Sequence, residues 1–95
     1  MATPEKKVKL KVCEILKAHD CYYFYASTGG YGASGIPDIV ACYKGNFIGI
    51  ECKANGNKPT ALQNKHLYDI KKAQGYSMVI DETDIDALEL FLGTL

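Results

Sequence analysis

The segment GIPDIVACYKGNFIGIECK, residues 35–53, predicts a β-hairpin. Two short apolar runs in it flank a Lys-Gly-Asn turn, an arrangement that is typical of two antiparallel strands. Because side chains alternate between the two faces of a strand, Glu51 and Lys53 are expected to point to one side. Ile48 and Ile50 then point to the other side, towards a core.

The hairpin brings the start of its first strand beside the end of its second. Asp38 and Glu51 are therefore expected to lie close together at one edge of the sheet. Two facing carboxylates repel each other, and such a pair is tolerated mainly when a cation lies between them. Lys53, two residues after Glu51, adds a fixed positive charge, so the hairpin predicts a cation site.

A helix is predicted to begin at Thr3-Pro4, with Thr3 as N-cap, and to run to about Ala18. Glu5 falls on the apolar stripe of this helix, one turn before Val8. Two interpretations stay open for Glu5: an acid favoured by the helix dipole, or a ligand of a metal at the sheet edge. Glu14 lies well off the stripe and is expected to be solvated.

The rest of the chain supplies two more strands and two more helices. The aromatic run 21–26 predicts the first strand, and residues 76–80 predict a short buried strand. Residues 60–63 form a capping box that opens a helix to about Gln74, and Thr83 is expected to cap a final helix. The predicted order is α-β-β-β-α-β-α within a single α/β domain, residues 1–95.

The loop of residues 27–35 contains four glycines. Its spacing is not that of a phosphate-binding or dinucleotide-binding loop, so no nucleotide cofactor is expected. The loop is either a flexible connection or a segment whose backbone approaches a phosphate closely, with Tyr31 available for stacking or hydrogen bonding.

Composition excludes several classes of protein. Hydrophobic residues make up 47% of the 95 residues, which suits a folded chain, and no apolar run reaches the roughly 20 residues of a membrane span. The first residues lack the apolar core of a signal peptide, so we expect a cytoplasmic protein that does not insert into membranes. The spacing of the four cysteines argues against zinc, and Cys42 and Cys52, inside apolar strands, are expected to be reduced and buried.

The formal net charge is zero, but the charges are unevenly distributed. All eleven lysines lie in residues 1–75, whereas five of the eleven acids follow residue 80. The first part of the chain is therefore positively charged and suited to a nucleic-acid partner.

The motifs together resemble the VRR-NUC (virus-type replication-repair nuclease) domain of the PD-(D/E)xK nuclease superfamily, in its short stand-alone, phage-like form. The resemblance covers about residues 4 to 82. The matching motifs, in chain order, are Pro4-Glu5, Gly29-Gly30-Tyr31-Gly32, Gly35-Ile36-Pro37-Asp38, Glu51-Cys52-Lys53-Ala54 and Lys58-Pro59-Thr60-Ala61-Leu62-Gln63.

This resemblance implies a mixed β-sheet flanked by helices and a magnesium-dependent deoxyribonuclease, with manganese as a substitute. Its implied catalytic residues are Asp38, Glu51, Lys53 and Gln63. Its implied metal ligands are Glu5, Asp38, Glu51 and the carbonyl of Cys52. Candidate DNA contacts are Tyr31, Gly32, Ser34, Lys58 and His66.

The resemblance also implies a substrate and an assembly. A small domain has little surface for reading base sequence, so recognition of branched DNA by its shape is expected. The leading expectation is resolution of four-way (Holliday) junctions by a homodimer in a bacterial or phage-infected cell. The alternatives are a flap or single-strand nuclease of repair or replication, and a non-catalytic DNA-binding module of the same fold.

Overall fold

The computed structural model describes residues 3–26 and 34–95, which form a four-stranded sheet with three helices. Within these residues, no helix has both the length and the apolar character needed to cross a membrane. The elements are α1 (Pro4–Ala18), β1 (Tyr22–Tyr25), β2 (Ile39–Tyr43), β3 (Asn46–Cys52), α2 (Ala61–Lys72), β4 (Tyr76–Ile80) and α3 (Ile85–Leu92). The predicted order and the α/β class are confirmed.

The predicted hairpin is formed by β2 and β3. Its register pairs Ile39 with Ile50 and Ala41 with Ile48. The connecting residues Lys44 and Gly45 have φ values of 52° and 81°. Two successive residues with positive φ give a turn whose twist matches that of antiparallel strands.

The sheet is mixed, with strand order β1-β2-β3-β4. Strands β1, β2 and β3 are antiparallel neighbours, whereas β4 lies parallel to β3 and is reached through α2. Parallel strands carry their carboxyl ends at the same edge of a sheet, and here Cys52 pairs with Ile80. The start of β2 also lies at this edge, because Ile39 pairs with Ile50 of β3. The end of β1 lies there too, since Ala26 N–H, just after β1, donates to the Asp38 carbonyl at 2.9 Å.

The core lies on one face of the sheet, beneath α1 and α3, which also contact each other. Each strand of the hairpin contributes its inward-pointing side chains to this core, as the alternation predicts. The residues that are fully buried include Val12, Leu16, Ile39, Ile48, Ile50, Cys52, Leu88 and Leu92.

Helix α2 packs closely on β3 and β4. Two glycines, Gly35 before β2 and Gly49 in β3, leave room for this close approach. A Cβ on Gly35, where φ is 82°, would lie 2.7 Å from Leu62 Cγ. A Cβ on Gly49 would lie 2.7 Å from Ile70 Cδ1. A larger residue at Gly35 would be strained and would meet the Leu62 backbone, so α2 would have to shift, whereas at Gly49 the end of the Ile70 side chain would have to move.

The caps of α1 and α2 are as predicted. Thr3 Oγ1 accepts from Lys6 N–H at 3.1 Å, and Thr60 and Gln63 form a reciprocal capping box. Helix α2 ends at Lys72, slightly before the predicted end at Gln74, which has a φ of 71°.

Two local predictions are wrong. The N-cap of α3 is Asp84 rather than Thr83, whose hydroxyl donates to Asp81 in the preceding turn. Cys42 is exposed instead of buried. Alternation along β2 explains the second error, since Ile39 and Ala41 take the buried face and leave Cys42 on the other.

Candidate active site

The two carboxylates of the hairpin face each other as predicted. Asp38 directly precedes β2 and Glu51 lies near the end of β3. Because Ile39 is paired with Ile50, continuing the register by one residue places Asp38 opposite Glu51. Lys53 follows the end of β3, and its Nζ lies 3.4 Å from Glu51 Oε2. The fold therefore brings Asp38, Glu51 and Lys53 together.

Both oxygens of Asp38 have partners in the chain. Oδ2 accepts from the backbone N–H of Cys52 at 2.8 Å. Oδ1 lies 3.5 Å from Nζ of Lys9, on α1. The Asp38 carboxylate is thus oriented by the backbone of β3 and neutralised by a lysine of the first helix.

Glu51 is a buried carboxylate with one unsatisfied oxygen. The residue is 1% exposed. Lys53 contacts Oε2, but Oε1 has no hydrogen-bond partner among the described residues. Burial, followed by the charge of Asp38, raises the pKa of Glu51 to about 7, although Lys53 opposes this shift. Keeping such a group at this position is costly unless a further partner binds it.

A divalent cation fits this donor set. The unsatisfied Oε1 of Glu51 and the carboxylate of Asp38 are hard oxygen ligands, which Mg²⁺ and Mn²⁺ prefer. In the described parts of the chain, no three His, Cys, Asp or Glu side chains form a metal-holding group. Mg²⁺ is commonly bound by one or two carboxylates together with waters and substrate phosphates, so the pair Asp38 and Glu51 suits it.

Glu5 borders the same region. It lies in the first turn of α1 and lines a cleft of about 530 Å³. Its charge makes a small contribution to the raised pKa of Glu51, after burial and Asp38. Glu14 is exposed, so Glu5 is the acid of α1 that borders the cleft. The cleft is lined by Thr3, Pro4, Glu5, Lys53, Ala54, Asn55, Asn57 and Lys58.

The other predicted site residues do not all lie at this cleft. Lys58 lines the cleft, and Ser34 is exposed before Gly35. Gln63 lies in the first turn of α2, where its Oε1 accepts from Thr60 N–H at 2.8 Å. His66 does not line the cleft; it lines a separate groove with Phe47 and Ile70. Two predicted DNA contacts, Tyr31 and Gly32, lie outside the described residues.

Sequence reasoning missed Lys9. Its ammonium contacts Asp38, yet it was not distinguished from the other lysines of α1. A signal was present, because Lys9 follows Glu5 by four residues and the two therefore share a helix face. Glu5 and Lys9 both approach the same edge of the sheet.

The fold matches that of a solved structure described as a VRR_NUC domain. The match has a TM-score of 0.76 at 23% sequence identity and covers 92% of this chain and 95% of that one. No protein-family model matches the sequence. A phage protein, "Putative nuclease p44" of Acyrthosiphon pisum secondary endosymbiont phage 1, is 32% identical over 78 residues, covering 81% of each chain. The chain therefore has the fold of a VRR-NUC domain and belongs to the same family as this phage protein.

Proposed function

We propose that this protein is a DNA endonuclease that depends on a divalent cation and hydrolyses phosphodiester bonds. The observation that carries the proposal is the buried, unsatisfied Oε1 of Glu51 beside Asp38 and Lys53. A module that only bound DNA would have no need for a buried carboxylate, which repels phosphate and destabilises the fold. A cation held by Asp38 and Glu51 would remove both problems.

Asp38 and Glu51 would hold the magnesium ion, for which manganese can substitute. Family resemblance adds the Cys52 carbonyl and Glu5, the latter through a water molecule, to the ligands. When bound, the ion supplies a Lewis acid that lowers the pKa of a ligated water and neutralises charge on the phosphate. The carboxylates themselves orient that ion, and the hydrogen bond from Cys52 N–H keeps Asp38 in place.

Lys53 would act on the reacting groups directly. Its ammonium is held beside Glu51, with its side chain only 12% exposed. A fixed positive charge there orients the attacking water and stabilises the negative charge that develops on the phosphate oxygens. The water oxygen forms the new bond to phosphorus, one P–O ester bond breaks, and the leaving alkoxide takes up a proton.

Gln63 is proposed to position the water or Lys53. Its side-chain oxygen already accepts from Thr60 N–H. The amide nitrogen can donate to the water, whereas Lys53, itself a donor, would need the second lone pair of the Gln63 oxygen. His66 belongs to a different groove and takes no part in the proposed chemistry. It stays a candidate for bordering DNA, as do Ser34 and the undescribed Tyr31 and Gly32.

The DNA is expected to enter along the cleft that contains Lys53 and Lys58. The acids that follow residue 80 give the C-terminal part of the chain a negative charge, which disfavours DNA there. Lysine contacts to phosphates release counterions, so binding should weaken as salt concentration rises.

Four-way junctions are the proposed substrate and a homodimer is the proposed assembly. One active site cannot make two opposed cuts in a single encounter, whereas a two-fold dimer presents two equivalent sites. Candidate contact surfaces are the edge strand β1, where Tyr22 is 72% exposed, and α3, where Leu90 is 75% exposed. Burial of such surface would also help a small domain that has a modest core.

One experiment tests the proposed activity and substrate. Purified protein is incubated with labelled four-way junction, flap, single-stranded and duplex DNA, each with Mg²⁺, Mn²⁺ or EDTA, beside the Glu51→Gln variant. The proposal expects cleavage that requires a cation, is greatest on the junction and is absent in the variant. Preference for flaps or single strands would support the repair or replication alternative. Cation-independent cleavage, equal cleavage by Glu51→Gln, or no cleavage of any substrate would contradict the proposal.

Assembly is tested by light scattering at micromolar protein, alongside sequencing gels of cleaved junctions. The dimer proposal expects twice the chain mass and paired cuts in opposite strands. A strict monomer, or cuts confined to one strand, would contradict junction resolution while leaving the nuclease proposal intact.

A further inference from the structure

Lys9 places a second ammonium at the carboxylate pair. Its Nζ lies 3.5 Å from Asp38 Oδ1, and the side chains are 25% and 18% exposed. The other Asp38 oxygen accepts from Cys52 N–H. Among the described residues, Lys9 thus covers the Asp38 oxygen that no backbone group binds.

We propose that Lys9 is an internal counter-ion, which competes with the divalent cation for Asp38 Oδ1 and so sets how tightly the site binds metal. The proposal rests on the cation site of the proposed function, and it adds a residue that opposes cation binding. In the metal-free protein the Lys9 ammonium contacts Asp38, and it is displaced when the cation binds.

The pairing of charges explains why a counter-ion is needed. Asp38 and Glu51 carry two negative charges at facing positions, and each is paired with its own lysine, Lys9 or Lys53. A divalent cation adds two positive charges to a site that is already balanced. Withdrawal of one ammonium reduces the net positive charge of the cation-loaded site and so lowers the repulsion that the cation meets.

Exposure indicates which lysine withdraws. The Lys53 side chain is 12% exposed and the side chain of its partner Glu51 is 2% exposed, whereas the Lys9 side chain is 25% exposed. Lys9 is attached to α1 by a long, flexible stem and can return its ammonium to water at low cost. Lys53 is more enclosed and stays in place.

Removal of the Lys9 charge should then tighten metal binding. Titration calorimetry with Mn²⁺ alone, at low ionic strength and pH 8, compares wild type, Lys9→Met and Lys17→Met. Lys17 is exposed in the last turn of α1 and makes a matched control for loss of one charge. The Kd for Mn²⁺ should fall roughly two- to tenfold in Lys9→Met, as expected for loss of a partly exposed ion pair. It should stay within about twofold in Lys17→Met.

A second readout follows metal-free stability. In EDTA, Lys9→Met should melt below Lys17→Met, because the facing carboxylates lose a counter-ion, and saturating Mn²⁺ should remove that difference. Lys9→Arg keeps the charge and should retain the wild-type melting temperature and a Kd within about threefold of wild type.

An unchanged or weaker Mn²⁺ affinity in Lys9→Met, with wild type binding Mn²⁺, would overturn the proposed role of Lys9 and leave the proposed cation site intact. Weaker affinity would mean that Lys9 holds Asp38 in a binding geometry. Failure of the wild-type protein to bind Mn²⁺ at all would overturn this proposal together with the cation site of the proposed function.

Discussion

Asp38, just before β2, and Cys52, at the end of β3, are joined by a hydrogen bond in which the Cys52 N–H donates to Asp38 Oδ2 at 2.8 Å. This bond joins the two ends of the hairpin and fixes the carboxylate next to Glu51. The Asp38 side chain therefore has two separable tasks: it accepts a structural hydrogen bond, and it is proposed to bind the catalytic cation.

Two substitutions at Asp38 separate these tasks. Asp38→Asn keeps a carbonyl oxygen for the Cys52 N–H but loses the charge, whereas Asp38→Ala loses both. Cleavage should drop at least about a hundredfold in both variants, since several kcal/mol of electrostatic stabilisation are lost. Urea unfolding should show a loss of about 1 kcal/mol for Ala relative to Asn. Equal stability of the two variants would show that the hydrogen bond does not contribute to stability. Full activity in either variant would show that Asp38 is not an active-site residue.

The Glu51 carboxylate should destabilise the metal-free fold at alkaline pH. Its pKa is raised from 4.5 to about 7, first by burial and then by the charge of Asp38. The folded state therefore holds the proton more tightly, so the contribution of Glu51 to stability is fully present below pH 4.5 and is lost as pH rises through 7. In EDTA at pH 8, Glu51→Gln should be more stable than wild type, by up to on the order of 3 kcal/mol.

Thermal or urea unfolding at pH 8 and pH 4 checks this expectation. At pH 4 both side chains are neutral and the gain should largely disappear. Glu14→Gln serves as the control, since Glu14 is exposed. A gain of the same size at both pH values would show that the charge of Glu51 is not its cause.

The two acids of α1 should differ in importance. Glu5 borders the cleft, whereas Glu14 is exposed. Glu5→Gln should therefore lower the cleavage rate by roughly tenfold or more, the effect typical of a group that acts on a metal through water, while Glu14→Gln should leave it near wild type. Single-turnover rates under saturating Mg²⁺ make the comparison. The reverse ranking would show that the wrong acid has been assigned.

Lys53 should affect the chemical step more than metal binding. Lys53→Met removes the ammonium that lies 3.4 Å from Glu51 Oε2 but leaves the proposed ligands unchanged. The single-turnover rate should fall roughly 100- to 1,000-fold, as it does when a charge-stabilising donor is lost. Calorimetry should give a cation Kd no weaker than that of wild type, because the lost ammonium is not a ligand and repels the cation. Loss of cation binding, with no separate defect in the rate, would contradict the proposed role.

The hairpin and its buried face could be predicted because two-residue alternation and a Lys-Gly-Asn turn depend on local sequence alone. The proximity of Asp38 and Glu51 could be predicted as well, because it follows from the pairing of the two hairpin strands. The four-residue spacing from Glu5 to Lys9 places both on one face of α1, but the contact between Lys9 and Asp38 could not be predicted from it, since that contact depends on how α1 crosses the sheet. The cap of α3 was misplaced because Thr83 and Asp84 are both good N-cap residues, and local hydrogen bonds to Asp81 in the preceding turn engage both side chains.

Binding of a divalent cation by Asp38 and Glu51 is the decisive measurement for the proposed site. Titration calorimetry with Mn²⁺ at pH 8, above the raised pKa of Glu51, compares wild type with Asp38→Asn and Glu51→Gln in the absence of DNA. Wild type is expected to bind Mn²⁺, and each variant should bind it at least about tenfold more weakly, because each removes one charged ligand. Equal binding by all three proteins would show that Asp38 and Glu51 do not form the cation site.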